Sequence, residues 1–235
     1  MIRQFFIVCL VLFPFIGLFR ASPDFQASSQ ETMLQTIGLI FVLALVNVWL
    51  AFTLAWWLMW TESRLKPWVE WLVFLPLFIP LLASLFGMYL VFAEVGLIGS
   101  RIGVGLALLM ATLPYSIRLA YNGMYVIGRP MLEQSLGLPP FKRILYVLIP
   151  LFSGSIRTII LFTTVILLSQ FALVQLIGAG LVSTVTTDFY QTYAGNDRSR
   201  ALTNTWMLIL LPLILYIGLG GLSTWFVRRL KGRLS

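Results

Sequence analysis

The chain has 235 residues, 60% hydrophobic and 10% charged, with a net charge of +8 and a mean hydropathy of +0.95. A soluble domain carries about 25% charged residues, so this composition excludes a globule dispersed in water and makes a bilayer the solvent. The 16 Lys+Arg lie in short segments between apolar runs, which excludes a nucleic-acid partner; the lack of His and the lone Cys9 leave no basis for His-based catalysis or a disulfide framework.

About 20 apolar residues cross a bilayer as a helix, whose backbone groups satisfy one another. Six segments fit that pattern: 4–19, 36–60, 68–92, 102–127, 155–177 and 203–226. The segment 4–19 is short and resembles a signal-peptide core, but Arg20, Ala21, Ser22 and Pro23 make a poor cleavage site, so it is expected to be a retained anchor. The third span opens on LPLFIP at 75–80, with Pro76 and Pro80 four residues apart. Pro114 and Pro212 fall inside later spans and Pro150 just before the fifth. Each proline removes a backbone donor, either as ordinary membrane packing or as a kink that shapes a solute path. The fold expected is all-α, one polytopic domain over 1–235.

Loop charge sets orientation. One side holds Arg3, Arg64, Lys66, Arg129, Lys142, Arg143, Arg228, Arg229, Lys231 and Arg233, and the other Arg20, Arg101, Arg198 and Arg200. Ten against four puts both termini and the 129–150 loop in the cytoplasm, with 20–35, 93–101 and 178–202 outside. No span has an Asp or Glu near its centre, which counts against a proton-coupled carrier. In the outer loop 178–202, residues 186–193 fit a short amphipathic helix, read either as a docking surface or as a connector.

The 129–150 loop is the long polar interruption. A first helical turn at 131–136 ends at Gly137, which offers a flexible position with access to the left-handed region. Leu138, Pro139 and Pro140 turn the chain, Pro140 sits near a new helix start, and 141–148 resumes with Lys142 and Arg143 at headgroup level. A helix–turn–helix of this kind suits a groove in a cytosolic protein.

The arrangement resembles the cytoplasmic loop of binding-protein-dependent ABC importer permeases, the MetI-like fold. Ser135, Leu136 and Gly137 match its S-L-G, and Pro150 ends VLIP at 147–150, thirteen residues after the glycine, as in that family. Further matches are Thr36, Leu50, Ala51 and Ala55 in the second span, LPLFIP at 75–80, GLIG at 96–99, LPYSIR at 113–118 and Ser169-Gln170-Phe171. The family's Glu-Ala-Ala run is degenerate: its positions fall on Met131, Leu132 and Glu133, or Leu132-Glu133 starts a run shortened by two residues.

The resemblance implies six transmembrane helices, pairing with a second permease subunit (homo- or heterodimer), a cytosolic ABC ATPase dimer that binds ATP and Mg, and a periplasmic solute-binding protein. It implies residence in a bacterial inner membrane and import of a small solute of the thiamine, ferric iron, polyamine or oxyanion kind. The chain has no phosphate-binding loop motif, so it carries no cofactor and is not itself an enzyme. The expected ATPase-coupling residues are Glu133, Ser135, Leu136, Gly137, Leu138, Pro139, Pro140, Phe141, Lys142 and Arg143. The few polar side chains inside spans, Asn47, Arg118, Tyr121, Asn122, Ser169 and Gln170, are candidates for the solute path. Because the family often has Arg at this position, Arg118 reads as structural ahead of a solute contact, and Arg157 is expected to snorkel to the interface. The competing reading is a membrane scaffold or exporter-like component that recruits an ATPase without importing solute; a membrane enzyme lacks the clustered Asp, His, Ser or Cys it would need.

Overall fold

A computed structural model describes residues 30–79 and 81–231. The expected segment 4–19 and the loop 20–29 lie outside these residues. Every regular element among the described residues is helical. In chain order they are α1 (Gln30–Trp60), α2 (Lys66–Phe78), α3 (Leu81–Glu94), α4 (Arg101–Ile127), α5 (Arg129–Gln134), a 3-10 turn (Ser135–Gly137), α6 (Pro140–Arg143), a π-helical turn (Ile144–Leu148), α7 (Ile149–Ser169), α8 (Phe171–Gly178), α9 (Val185–Ala194) and α10 (Arg198–Lys231).

Among the described residues, four stretches are long and apolar enough to cross a membrane: Gln30–Trp60, Arg101–Ile127, Pro140–Ser169 and Arg198–Gly221. The expected third span is not one helix. Ile79 is extended, at φ −91 and ψ 127, because a residue that precedes proline is pushed out of the helical region. α2 and α3 are therefore about 20 Å long each, short of a hydrocarbon core of about 30 Å. The fifth span also differs from its expected bounds. Of the two readings for Pro150, packing or kink, the structure shows no break: the helix runs through it. The Ile149 N–H donates to the Ile144 carbonyl, an i→i−5 bond that widens one turn around a residue lacking its own donor. At the far end this helix stops at Ser169, where Gln170 takes φ −93 and ψ 60 before α8.

α1, α4 and α7 form the centre of the bundle, with α10 against α7. Gly123 permits the close approach of α4 to α7, since a Cβ there would meet the Ser155 Oγ at 2.3 Å. The core is two apolar clusters. One contains Ile40, Leu43, Val104, Leu108, Leu167 and Leu173; the other contains Ala51, Ala55, Ile117, Ala120, Met124, Phe152 and Ile159. Between them lies a polar layer. The Asn47 Nδ2 donates to the Thr112 Oγ1 at 2.9 Å and to the Thr163 Oγ1 at 2.8 Å, and all three residues are buried. Outside this core, large apolar side chains such as Phe41, Trp49, Trp68, Phe86, Ile102 and Val126 are exposed. A surface of this kind belongs in hydrocarbon, and the chain is a helical membrane protein.

Candidate functional site

The segment expected to couple to an ATPase begins at Gly128, which has φ 83 and ψ 152 and whose N–H bonds the Met124 carbonyl. That region of backbone space is essentially reserved for glycine. It lets α4 end and α5 start within one residue. α5 is then held in two ways. Leu132 is fully buried in the cluster of Ala51, Ala55, Leu58 and Met124. The Arg129 guanidinium donates to the Met59 carbonyl in the last turn of α1 and lies 5.8 Å from the Trp60 ring centroid. α1 has no basic residue in its own last turn, so Arg129 supplies the cation that its C-terminal carbonyls favour.

Ser135 is buried and its Oγ donates to the Leu132 carbonyl at 2.6 Å. Gly137 closes a 3-10 turn and is not among the residues with positive φ, so the left-handed position suggested for it is not found. A Cβ at Gly137 would meet nothing within 4 Å. Leu138 is extended, Pro139 is the cap residue of α6, and Pro140 occupies its first turn, where a missing N–H costs nothing. Glu133, Leu136, Gly137, Leu138, Pro139, Pro140, Phe141 and Lys142 are all exposed. Within this group Leu136, Leu138 and Phe141 present large apolar side chains. Arg143 departs from the rest: it is half-buried and lines a groove beside α1. Ser135 and Arg143 therefore face the protein, and the other expected coupling residues face outward.

The expected path residues fall into separate layers. Asn47 is a tie between three helices rather than a free side chain. Arg118 lies six residues beyond Thr112 towards the coupling end, and Ser169 six residues beyond Thr163 towards the opposite end. At 1.5 Å per residue each is roughly 9 Å from the Asn47 layer, in opposite directions. Ser169 donates its Oγ to the Ile166 carbonyl at 2.7 Å and accepts from the Gln170 Nε2 at 3.2 Å. Tyr121 is half-buried against the lower cluster. Arg118 and Asn122 are exposed on α4 together with Tyr115 and Tyr125. Their spacing of three, four and three residues puts these four on one helix face, a polar stripe that the candidate list had only in part. The Arg157 guanidinium lies 5.8 Å from the Tyr216 ring centroid of α10.

At the opposite end, the expected helix in the 178–202 loop is present as α9. Thr184 and Thr187 form its capping box. The Val185 N–H donates to the Thr36 Oγ1 at 3.0 Å, and the Thr186 Oγ1 donates to the Leu168 carbonyl at 2.6 Å. The Asn204 Nδ2 donates to the Asp188 Oδ2 at 2.7 Å, and Phe171 stacks on Tyr190 with centroids 3.8 Å apart. α9 is thus fastened to α1, α7, α8 and α10, while Tyr190 and Tyr193 remain exposed. The buried threonines were missed as site-builders because a hydroxyl in an apolar run carries no pattern of its own; the three-four-three repeat on α4 was readable.

No known family model matches the chain, and no curated protein matches it.

Proposed function

We propose that this chain is the permease subunit of an ATP-driven ABC importer in a bacterial inner membrane. It spans the bilayer six times with both termini cytoplasmic, and passes a small solute delivered by a periplasmic binding protein. The observation that carries the reading is the coupling segment. Leu132 and Ser135 are buried, while Leu136, Leu138 and Phe141 are exposed. An anchored turn with an outward apolar patch is suited to seating in the groove of a partner that must push on the bundle. The broken third span and the break at Gln170 fit a transport protein, because irregular backbone at membrane depth is tolerated where it lines a cavity or is buried in protein. The polar stripe of Tyr115, Arg118, Asn122 and Tyr125 fits a face turned towards a second permease subunit and the solute path between them.

The test is site-directed crosslinking in intact membranes. In a Cys9→Ser background, Leu138→Cys and Phe141→Cys are each expected to crosslink to a cytosolic subunit that binds ATP. The hydrolysis of that subunit is expected to rise when a solute-loaded binding protein is added. No crosslink, or a partner that binds no nucleotide, refutes the assignment. An ATPase that is recruited but never stimulated by a binding protein replaces import with the scaffold reading.

A further inference from the structure

Two grooves on the bundle surface are large. One, of about 470 Å³, lies between α1 and α10 and is lined by apolar side chains throughout. The other, of about 450 Å³, runs between α1 and the stretch from α6 into α7, with Trp49, Phe52, Trp56, Ile144 and Leu148 on its walls. It differs from the first in one residue of consequence, Arg143. The Arg143 Nε is buried and has no hydrogen-bond partner among the described residues. A buried guanidinium nitrogen left without a partner in the lining of an apolar groove is costly unless something anionic meets it.

Its position says what that is. Trp56 is on the groove wall; Trp60, with the Arg129 guanidinium against its ring, follows one turn later on α1, and Arg64, Lys66, Trp68 and Trp71 come next in the sequence. That combination marks a membrane–water interface. From Trp56 to Trp49 the groove wall extends roughly 10 Å along α1, from headgroup level into hydrocarbon. The π-helical turn Ile144–Leu148 widens the helix along the same wall, and its residues Ile144 and Leu148 line the groove. The geometry points to a binding site for an anionic phospholipid. Its phosphate pairs with the Arg143 guanidinium, and one acyl chain lies between Trp49, Phe52 and Leu148. A volume of about 450 Å³ falls in the range of about 300–1,000 Å³ usual for small-ligand sites, and a basic pocket between membrane helices is a known way of holding a phospholipid headgroup. The site needs only that the chain lies in a membrane, so it does not depend on the transport reading. It gives Arg143 a role other than contact with an ATPase.

The experiment uses the full chain in phosphatidylcholine vesicles containing brominated phosphatidylglycerol or brominated phosphatidylcholine, with tryptophan fluorescence as readout. The groove's share is the quenching lost in the Trp49→Phe/Trp56→Phe variant. For that share, brominated phosphatidylglycerol is expected to be preferred about fivefold, the factor expected for one basic residue at an anionic surface. Arg143→Gln is expected to remove the preference, Arg143→Lys to keep part of it, and Arg198→Gln, which removes one charge at the other end, to keep all of it. Equal quenching by both lipids in the parent overturns the proposal, as does absence of a groove component, which means that protein covers the groove. Loss of the preference with millimolar inorganic phosphate at constant ionic strength also overturns it in favour of a free-phosphate site. An unchanged preference in Arg143→Gln, with the helical circular dichroism of the parent, removes the assigned residue.

Discussion

Replacing Asn47 separates its two readings, helix tie and solute contact. The residue donates two hydrogen bonds, to Thr112 on α4 and Thr163 on α7, and is completely buried. Interhelical hydrogen bonds in membranes average about 0.6 kcal/mol, with about 1.7 kcal/mol at the upper end. Two of them put the cost of Asn47→Ala at roughly 1–3.5 kcal/mol. Thr112 already donates to the Leu108 carbonyl at 2.9 Å, so its hydroxyl proton stays satisfied and adds little. The Asn47 Oδ1, by contrast, is buried without a partner, a burden on the native state. Asn47→Leu removes that burden together with the bonds and keeps most of the volume, so it is expected to stay within about 1 kcal/mol of the parent. Both are measured by reversible unfolding in lipid–detergent micelles titrated with dodecyl sulfate. If Asn47→Ala unfolds with the parent while uptake is abolished, the side chain acts on solute and the tie is refuted.

Two further pairs of substitutions probe the segment from Gly128 to Phe141. Gly128→Ala forces a side chain into φ 83 and ψ 152 and is expected to destabilise by about 1–3 kcal/mol; Gly137→Ala, in open space and without positive φ, is expected to stay within about 0.5 kcal/mol. The same unfolding titration reads both, and equal costs at the two glycines would contradict the placement of the turn. Leu132→Ala empties a fully buried site and is expected to cost about 2–5 kcal/mol, whereas Leu138→Ala at the exposed neighbour is expected to leave the unfolding midpoint nearly unchanged; a midpoint that moves for Leu138 but not for Leu132 would invert the assignment of anchor and docking surface.

Sequence reasoning succeeded where one residue type dictates local backbone. Pro140 starts a helix, the amphipathic stretch 186–193 forms one, and long apolar runs give α1, α4 and α10 close to their expected bounds. It failed where two local rules compete. Pro80 follows Ile79 in an unbroken apolar run, so hydropathy argued for one span while the pre-proline constraint divided it. Pro150 argued for a bend, but one π-helical turn absorbs the lost donor and the helix continues. For the site, the spacing of the coupling loop was readable, and so was its exposure. The inward turn of Arg143 and the partners of Asn47 were not, because both depend on which helix lies alongside, and hydropathy does not encode neighbours.

The helix from Pro140 to Ser169 joins the coupling segment to the break at Gln170, and its pinned point sets how motion passes between them. Thr163 is held by Asn47, 22 residues from Phe141 and six from Ser169. At 1.5 Å per residue the arms are roughly 33 Å and 9 Å. If the bundle is driven from the coupling end, a rigid helix tilting about Thr163 moves Ser169 by roughly a quarter of the displacement at Phe141. Opening at the far end therefore requires backbone rotation at Gln170, whose φ −93 and ψ 60 already break the helix. This is a hypothesis resting on the proposed ATPase coupling. Spin labels introduced by Phe141→Cys and Leu176→Cys in a Cys9→Ser chain test it, each paired with a label on α1. Distances are compared in nucleotide-free and nucleotide-bound complexes. The lever predicts a large change at 141, and a change at 176 that disappears in Gln170→Ala, where the preference for continuous helix is strengthened. Comparable movement at both sites, unaffected by Gln170→Ala, would show that α7 and α8 shift as one body and that Asn47 is no pivot.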